Sequence, residues 1–278
     1  RNHSSAASDV YKRQEKSYKN LLQITTKPYE DIFFLPASRS GLYQAMNIFS
    51  SVLAMLSQKR HLFRGNFEIP ALSVPMSDYF LHLSNIKTSG NNDVYNALAK
   101  EMEESILDAE IIFNDDSKKL EYYNKKTNLR LALSETSSMI SEMAPVVAYL
   151  KYIVNEKSKK QDNENEPKRA KILFIEEPEA HLHPEVQLKL MNIFAKLIQH
   201  DIKIVMTTHS NYIFNKTNNL IYSKEMDFNK ISNNHFINTE KGSIVSQAEI
   251  TPTEIGMQDE NFVNVSEQLY NERLSLND

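Results

Sequence analysis

The sequence predicts an α/β fold in which helices flank a mainly parallel sheet, with a smaller helical and β-rich side lobe. Three observations predict it. Ile172-Leu173-Phe174-Ile175 is a continuous apolar run, as a strand buried on both faces requires. Residues 184–199 carry Val186, Leu190, Ile193, Phe194 and Leu197 on one helical face, with Pro184 at the start. Residues 202–207 read as a second buried strand. A strand–helix–strand unit with a crossover of this length places two parallel strands side by side, joined right-handedly.

Bulk properties bound the function. The chain has 278 residues, 32 Lys+Arg against 36 Asp+Glu, and a net charge of -4. A hydrophobic share of 41% beside 24% charged residues is enough for a core, which excludes wholesale disorder. No apolar run approaches the ~18 residues of a membrane span, and the opening residues do not read as a secretory leader. Without cysteine there are no disulfides, thiolate nucleophiles or Cys-based zinc sites. The slight acidity argues against nucleic-acid binding by bulk charge and leaves room for a local basic patch. The five glycines, Gly41, Gly65, Gly90, Gly242 and Gly256, stand apart from one another. Phosphate loops and dinucleotide fingerprints need clustered glycines, so neither motif is present.

In order along the chain, residues 1–14 have no helical or strand period and resemble translated sequencing-adapter sequence, a tail set aside from fold reasoning. Residues 32–36 read as a short buried strand ended by Pro36. Over 41–58, Leu42, Ala45, Met46, Phe49, Val52, Leu53 and Leu56 recur at helical spacing. Residues 60–92 read as irregular, with one helix near 76–83. Asn92-Asp93 then caps a helix to about residue 107, with Val94, Leu98, Met102 and Ile106 on one face. Segments 110–114, 120–123 and 129–133, separated by polar turn clusters, predict a β meander. A helix from residue 138 or 141 to 154 follows, and Pro145 must sit in its first turn or kink it. Residues 155–169 hold no aliphatic or aromatic side chain and nine of the fifteen are charged, which predicts a solvated loop. After the strand–helix–strand unit come a helix at 210–216, a strand at 220–222, two strands near 234–238 and 243–247 that finish the sheet, and a last helix over 261–274.

Parallel strands ending on one edge present Glu176-Glu177 and Thr208-His209-Ser210 where open α/β sheets bind ligands. Adjacent strand residues face opposite ways, so Glu176 and Glu177 are expected to do different jobs. One can hold a metal through its water shell while the other orients a nucleophilic water. An imidazole nearby can donate to an anionic substrate oxygen. His181 and His183 add a His-x-His spacing that, with His209 and the glutamates, also suits a zinc or manganese hydrolase.

Ile172-Leu173-Phe174-Ile175-Glu176-Glu177-Pro178-Glu179-Ala180-His181-Leu182-His183-Pro184 resembles the Walker B and D-loop of ABC-type ATPases. It is most similar to the branch shared by SMC-like proteins and the overcoming-lysogenization-defect (OLD) family of AAA family ATPases. Thr207-Thr208-His209-Ser210 resembles that branch's switch-histidine motif, and Phe34-Leu35-Pro36-Ala37-Ser38-Arg39-Ser40-Gly41 resembles another of its segments. The likeness covers most of residues 30–275. It implies a P-loop NTPase fold of ABC type, ATP and Mg2+ as cofactors, and hydrolysis at composite sites between two subunits. By position, Glu176 takes the Mg2+-side carboxylate role, usually an Asp. Glu177 matches the general base and His209 the γ-phosphate sensor. Ser137 and Ser138, within Ser134-Glu135-Thr136-Ser137-Ser138-Met139 ahead of a helix, match the signature motif that reaches in trans to the nucleotide of the other subunit. Met139 stands where a Gly is usual. Glu179, His181 and His183 fall on the D-loop, as dimer-facing or capping residues.

The resemblance also implies what is missing. No Walker A segment is present, so the chain reads as one that begins after it and binds ATP poorly, as an inactive fragment. The 69 residues after His209 leave no room for the Toprim nuclease domain of OLD proteins. The expected organisation is a non-native tail at 1–14, ATPase core at 15–59, a helical and β side lobe at 60–135, and a C-terminal ATPase core at 136–278 with its charged loop at 155–169. The expected partner is a second copy of the chain, with DNA or an effector protein reading out hydrolysis in DNA-related or phage-defence work. No membrane is involved and the expected compartment is the cytoplasm. Beside this reading stand a metal-dependent hydrolase built on the His and Glu residues, and a non-catalytic ATPase-like assembly module.

Overall fold

The structure, a computed structural model, describes residues 29–45, 72–88, 93–154, 170–200, 202–240, 242–245, 252–257 and 260–276. The tail at 1–14, the charged segment 155–169 and most of the helix expected over 41–58 lie outside these residues. The chain divides into two units, Arg1–His181 with Lys196–Thr207, and Leu182–Ala195 with Thr208–Asp278.

In the first unit, β1 (Tyr29–Leu35) passes through Pro36 into the helical residues 39–45. After α1 (Val74–Ser84) and α2 (Val94–Met102) come the antiparallel strands β2 (Glu110–Asn114), β3 (Lys119–Asn124) and β4 (Leu129–Ala132), paired in sequence order as the predicted meander. Then follow α3 (Ser138–Ala148), β5 (Ala170–Glu176), α4 (Pro184–Leu197), which crosses the unit boundary, and β6 (Ile202–Thr207). Strands β1, β5 and β6 form a parallel sheet in the order β1-β5-β6. The fold is therefore mixed α/β with a parallel sheet flanked by helices, as predicted.

Position in the sheet explains how far each strand is buried. Central β5 buries Ile172, Leu173 and Ile175, each worth about 1.5–3 kcal/mol. The expectation that β6 is a buried strand needs correction. It pairs on one side only among the described residues, its side chains alternate, and Val205 is 44% exposed.

Helix ends follow local chemistry, with two differences. Asp93 caps α2 as expected, its carboxylate accepting from the Asn96 amide at 3.0 Å, but the last turn, Glu103–Leu107, is π-wound. In α3 the residues from Ser141 to Ala148 are all buried, so this helix is enclosed on every side. Pro145 lies in its interior, not in the first turn. The helix accommodates the missing proline N–H and continues as a π turn, Tyr149–Ile153. Tyr149 of that turn stacks on Tyr79 of α1 (6.1 Å between centroids, 19° between planes) and meets Phe33 of β1 edge-on at 6.4 Å. Such pairs add about 0.5–1.5 kcal/mol each beyond burial. Burial is the main cause that pushes both tyrosine hydroxyls well above their ordinary pKa.

A buried ion pair joins the π turns. Glu103, 3% exposed, accepts from Lys151 Nζ at 2.8 Å and from the Ile111 amide at 2.7 Å. Burial pushes the Glu103 carboxyl up and Lys151 opposes the rise. A carboxyl whose folded pKa is raised binds its proton more tightly in the folded chain than in the unfolded one. Its contribution to stability therefore falls as pH rises through and above the usual carboxylate range. Removing the ammonium raises the carboxyl further. Lys151→Met is expected to cost about 3 kcal/mol at neutral pH and less as the pH falls and Glu103 takes up a proton. Urea melts at neutral and acidic pH check this. An equal loss at both would mean that Lys151 contributes only packing and its hydrogen bond to the Ile111 carbonyl, at 3.0 Å.

In the second unit, α5 (Asn211–Tyr222) is followed by β7 (Phe236–Thr239), β8 (Gly242–Val245) and α6 (Glu260–Ser275). The strand expected at 220–222 is the last turn of α5. Ile213, Thr217, Leu220 and Ile221 are buried at helical spacing, and that period overrides the strand-like look of a short apolar run. Strands β7 and β8 do not finish the parallel sheet. They pair antiparallel as a separate two-stranded sheet with all residues exposed. Gly256, at φ 109°, packs against Asn218, where an added Cβ would come within 2.8 Å of the side chain. Among the described residues no helix is long and apolar enough to cross a membrane.

Candidate active site

The carboxyl end of the parallel sheet is built from backbone pairing. Glu176, the last residue of β5, is the register partner of Thr207, the last of β6. The Glu176 carboxylate accepts from the Ala37 amide at 3.1 Å, which ties it to the turn that follows β1. Glu177 lies just past the strand. Its N–H donates to the Thr207 carbonyl at 3.0 Å and to Thr207 Oγ1 at 3.3 Å, and its carbonyl accepts from the Ala180 amide at 3.0 Å. Its φ is 42°, in the left-handed region that non-glycine residues rarely occupy. The expected alternation of Glu176 and Glu177 across a strand therefore gives way to a different geometry. The strand ends between them, and Glu177 is set by a strained turn rather than by the pleat. His181, at φ 60°, is a second left-handed residue in the same segment.

Arg39 organises this end of the unit, a role the sequence reading missed. Its side chain is fully buried. Nε donates to the Glu142 carbonyl at 3.0 Å, Nη1 to the carbonyls of Pro36 at 3.3 Å and Glu176 at 3.1 Å, and Nη2 to that of Pro178 at 3.4 Å. The Glu142 carboxylate, 2% exposed, stands 3.5 Å from Nε and accepts from the Ser40 amide and hydroxyl. The Arg39 carbonyl accepts from the Tyr79 hydroxyl at 2.7 Å. Burial lowers the Arg39 pKa, and Glu142 is the largest opposing influence, with Glu179 and Glu177 adding to it. The signal that could have found the pair is Glu142 itself, a lone carboxylate in an otherwise apolar helical stretch. Such a group is buried only with a cation beside it.

Ser137 is the N-cap of α3, accepting from the Ile140 amide at 3.4 Å, and Ser138 is the first helical residue. Both are exposed, so the positive end of the helix is open in this chain.

In the second unit, exposed His183 caps α4. Its Nδ1 accepts from the Glu185 amide at 3.4 Å, and its carbonyl accepts from the Val186 amide at 2.9 Å. Ser210 caps α5, its Oγ accepting from the Ile213 amide at 3.3 Å. Its hydroxyl also donates to Gln187 Oε1, while Gln187 Nε2 donates to the Leu182 carbonyl at 2.9 Å. The Ser210 amide donates to Thr208 Oγ1 at 3.0 Å. His209, exposed, sits inside this fixed Thr-His-Ser turn. Gln187 is a second residue the sequence reading passed over, as one amide on an amphipathic helix.

The structure thus joins Glu176, Glu177 and Thr207 at one sheet end, and joins the carbonyl of Leu182, through Gln187, to the turn that carries His209. Among the described residues no three His, Asp or Glu side chains are grouped so as to hold a metal ion. The residues do suit Mg2+, which is held by one or two carboxylates and by substrate phosphates rather than by a protein cage.

Residues 80–214 match the AAA ATPase domain family, a span that contains Ser137, Ser138, Glu176, Glu177 and His209. No curated protein matches the chain. A solved structure from work on the structural biochemistry of ATP-driven dimerization and DNA-stimulated activation of SMC ATPases is similar over 63% of this chain and 92% of that one. The identity is 12% and the TM-score 0.35. The family match and the parallel α/β sheet are consistent with a P-loop ATPase fold and support ATPase function in general.

Proposed function

We propose that the chain is part of an ABC/SMC-like ATPase that hydrolyses ATP to ADP and phosphate at a composite site between two copies. In this reading the Glu177 carboxylate accepts a proton from water as the water oxygen bonds to the γ-phosphorus and the bond to the bridging oxygen breaks. Glu176 would hold Mg2+, which when bound would offset charge on the phosphate oxygens. His209 donates to a γ-phosphate oxygen. Ser137 and Ser138, at the open N-terminus of α3, hold phosphate of the nucleotide carried by the other copy. Glu179, His181 and His183 belong to the segment that faces that copy. Hydrolysis would open and close the dimer, read out by DNA or an effector protein in OLD-like DNA-related or defence work.

The single observation that carries the reading is the backbone of Glu177. A carboxylate follows the central parallel strand in a strained conformation fixed by backbone bonds, and such strain concentrates at functional sites. The test is calorimetric ATP binding and Mg2+-dependent phosphate release by the full-length protein, with His209→Ala alongside. His209→Ala is expected to lower turnover about 10²-fold or more and to change the melting temperature little, since the histidine is exposed. Zinc retention without ATP affinity would favour a metal hydrolase instead, and neither activity would favour an assembly module.

A further inference from the structure

We propose that Arg39 is a positioning residue that holds Glu177 in its left-handed conformation by gripping the carbonyls on either side of it. The inference deepens the ATPase reading and rests on it for the role of Glu177. The guanidinium donates to the carbonyl of Glu176 through Nη1 and to that of Pro178 through Nη2. Between them, the Glu177 N–H is fixed by the Thr207 carbonyl. Three bonds thus over-determine three consecutive residues, which is what a strained backbone needs in order to persist. The fork is itself held. Nε is bound to the Glu142 carbonyl, the Glu142 carboxylate lies 3.5 Å away, and Nη1 also reaches Pro36. Arg39 is 0% exposed, so it acts through Glu177 and not on the nucleotide.

Charge alone would not do this. A lysine ammonium in the same place is a compact point charge on a flexible stem, without the planar fork that spans two carbonyls at fixed separation. With one grip lost, residue 177 relaxes and its carboxylate moves off line, and small displacements of a reacting group cost large factors in rate.

The test compares full-length wild type, Arg39→Lys, Glu177→Gln and the double variant. Two measurements are made: amide hydrogen exchange at residue 177, and ATP hydrolysis under steady-state and enzyme-excess single-turnover conditions. Arg39→Lys is expected to speed exchange at residue 177 about tenfold or more while the β5 amides keep their protection. It is expected to lower kcat at least about tenfold with KM for ATP within about twofold. In the Glu177→Gln background it should lower the residual single-turnover rate no further, because residues acting as a unit are not additive. Unchanged exchange at residue 177, wild-type kcat, or an equal further loss in the Glu177→Gln background each overturns the proposal. Exchange is read without reference to ATP, so it separates this proposal from the ATPase reading, which falls if Glu177→Gln hydrolyses ATP normally. Should Arg39→Lys fail to give a cooperative thermal melt, Glu142→Gln takes its place. It loosens the fork by removing the paired charge while keeping the carbonyl that Nε binds, and unchanged exchange and kcat in that variant overturn the proposal.

Discussion

Glu177→Gln is expected to abolish ATP turnover in the full-length protein while ATP remains bound. Glutamine matches glutamate in size and can still hydrogen-bond a water, but its amide oxygen is too weak a base to take the proton. General-base catalysis contributes about 10²–10⁴-fold, so the loss corresponds to about 3–5.5 kcal/mol of barrier. The backbone that fixes residue 177 uses amide and carbonyl groups, which the substitution leaves in place. The variant should therefore melt close to wild type and bind nucleotide with unaltered or tighter affinity. Phosphate release and calorimetric ATP titration measure the two halves separately. Ordinary turnover would remove the base assignment. Loss of binding together with turnover would mean that Glu177 contacts the nucleotide ground state rather than the attacking water.

What the sequence made legible follows from which interactions are local. The β5–α4–β6 unit could be read because a continuous apolar run and a period of 3.6 residues are properties of single segments. The Asp93 cap was readable for the same reason, since the bond spans three residues. Failures came where residues outside the segment decide. Leu220, Ile221 and Tyr222 look like a strand in isolation but extend α5, whose buried face began at Ile213. The segments β7 and β8 carry strand composition, yet composition does not say which sheet receives them, and among the described residues they pair only with each other. At the candidate site the types and spacing of Glu176, Glu177 and His209 were visible, as was the edge that receives the first two. The left-handed turn at Glu177 was not, because glutamate carries no signature for positive φ and the contacts that impose it come from Arg39, 138 positions earlier, and from Thr207, 30 positions later. The positional logic of the sheet predicted where the carboxylates go. Long-range hydrogen bonding determines how the second one is held.

Breaking the Arg39–Glu142 pair is expected to have the largest effect on stability. Glu142→Leu leaves a fully buried guanidinium without its counter-charge and should cost about 3–5 kcal/mol, a large part of the stability of an ordinary domain. Leucine in the apolar middle of α3 adds favourable burial but cannot offset an uncompensated charge. For many buried ion pairs, replacing both partners with apolar groups restores stability. Here the double variant Arg39→Met/Glu142→Leu should recover only in part. Removing both charges ends the electrostatic penalty, but the carbonyls of Pro36, Glu176, Pro178 and Glu142 each lose the donor that Arg39 supplies. Unsatisfied buried acceptors cost about 1–3 kcal/mol each before relaxation, so a deficit of a few kcal/mol should persist. Urea denaturation of the two singles and the double completes the cycle. Full recovery in the double would show that the pair matters as two charges and that the carbonyls find other donors. A persistent deficit would show that Arg39 is retained chiefly as a clamp on backbone, with Glu142 there to make its burial tolerable.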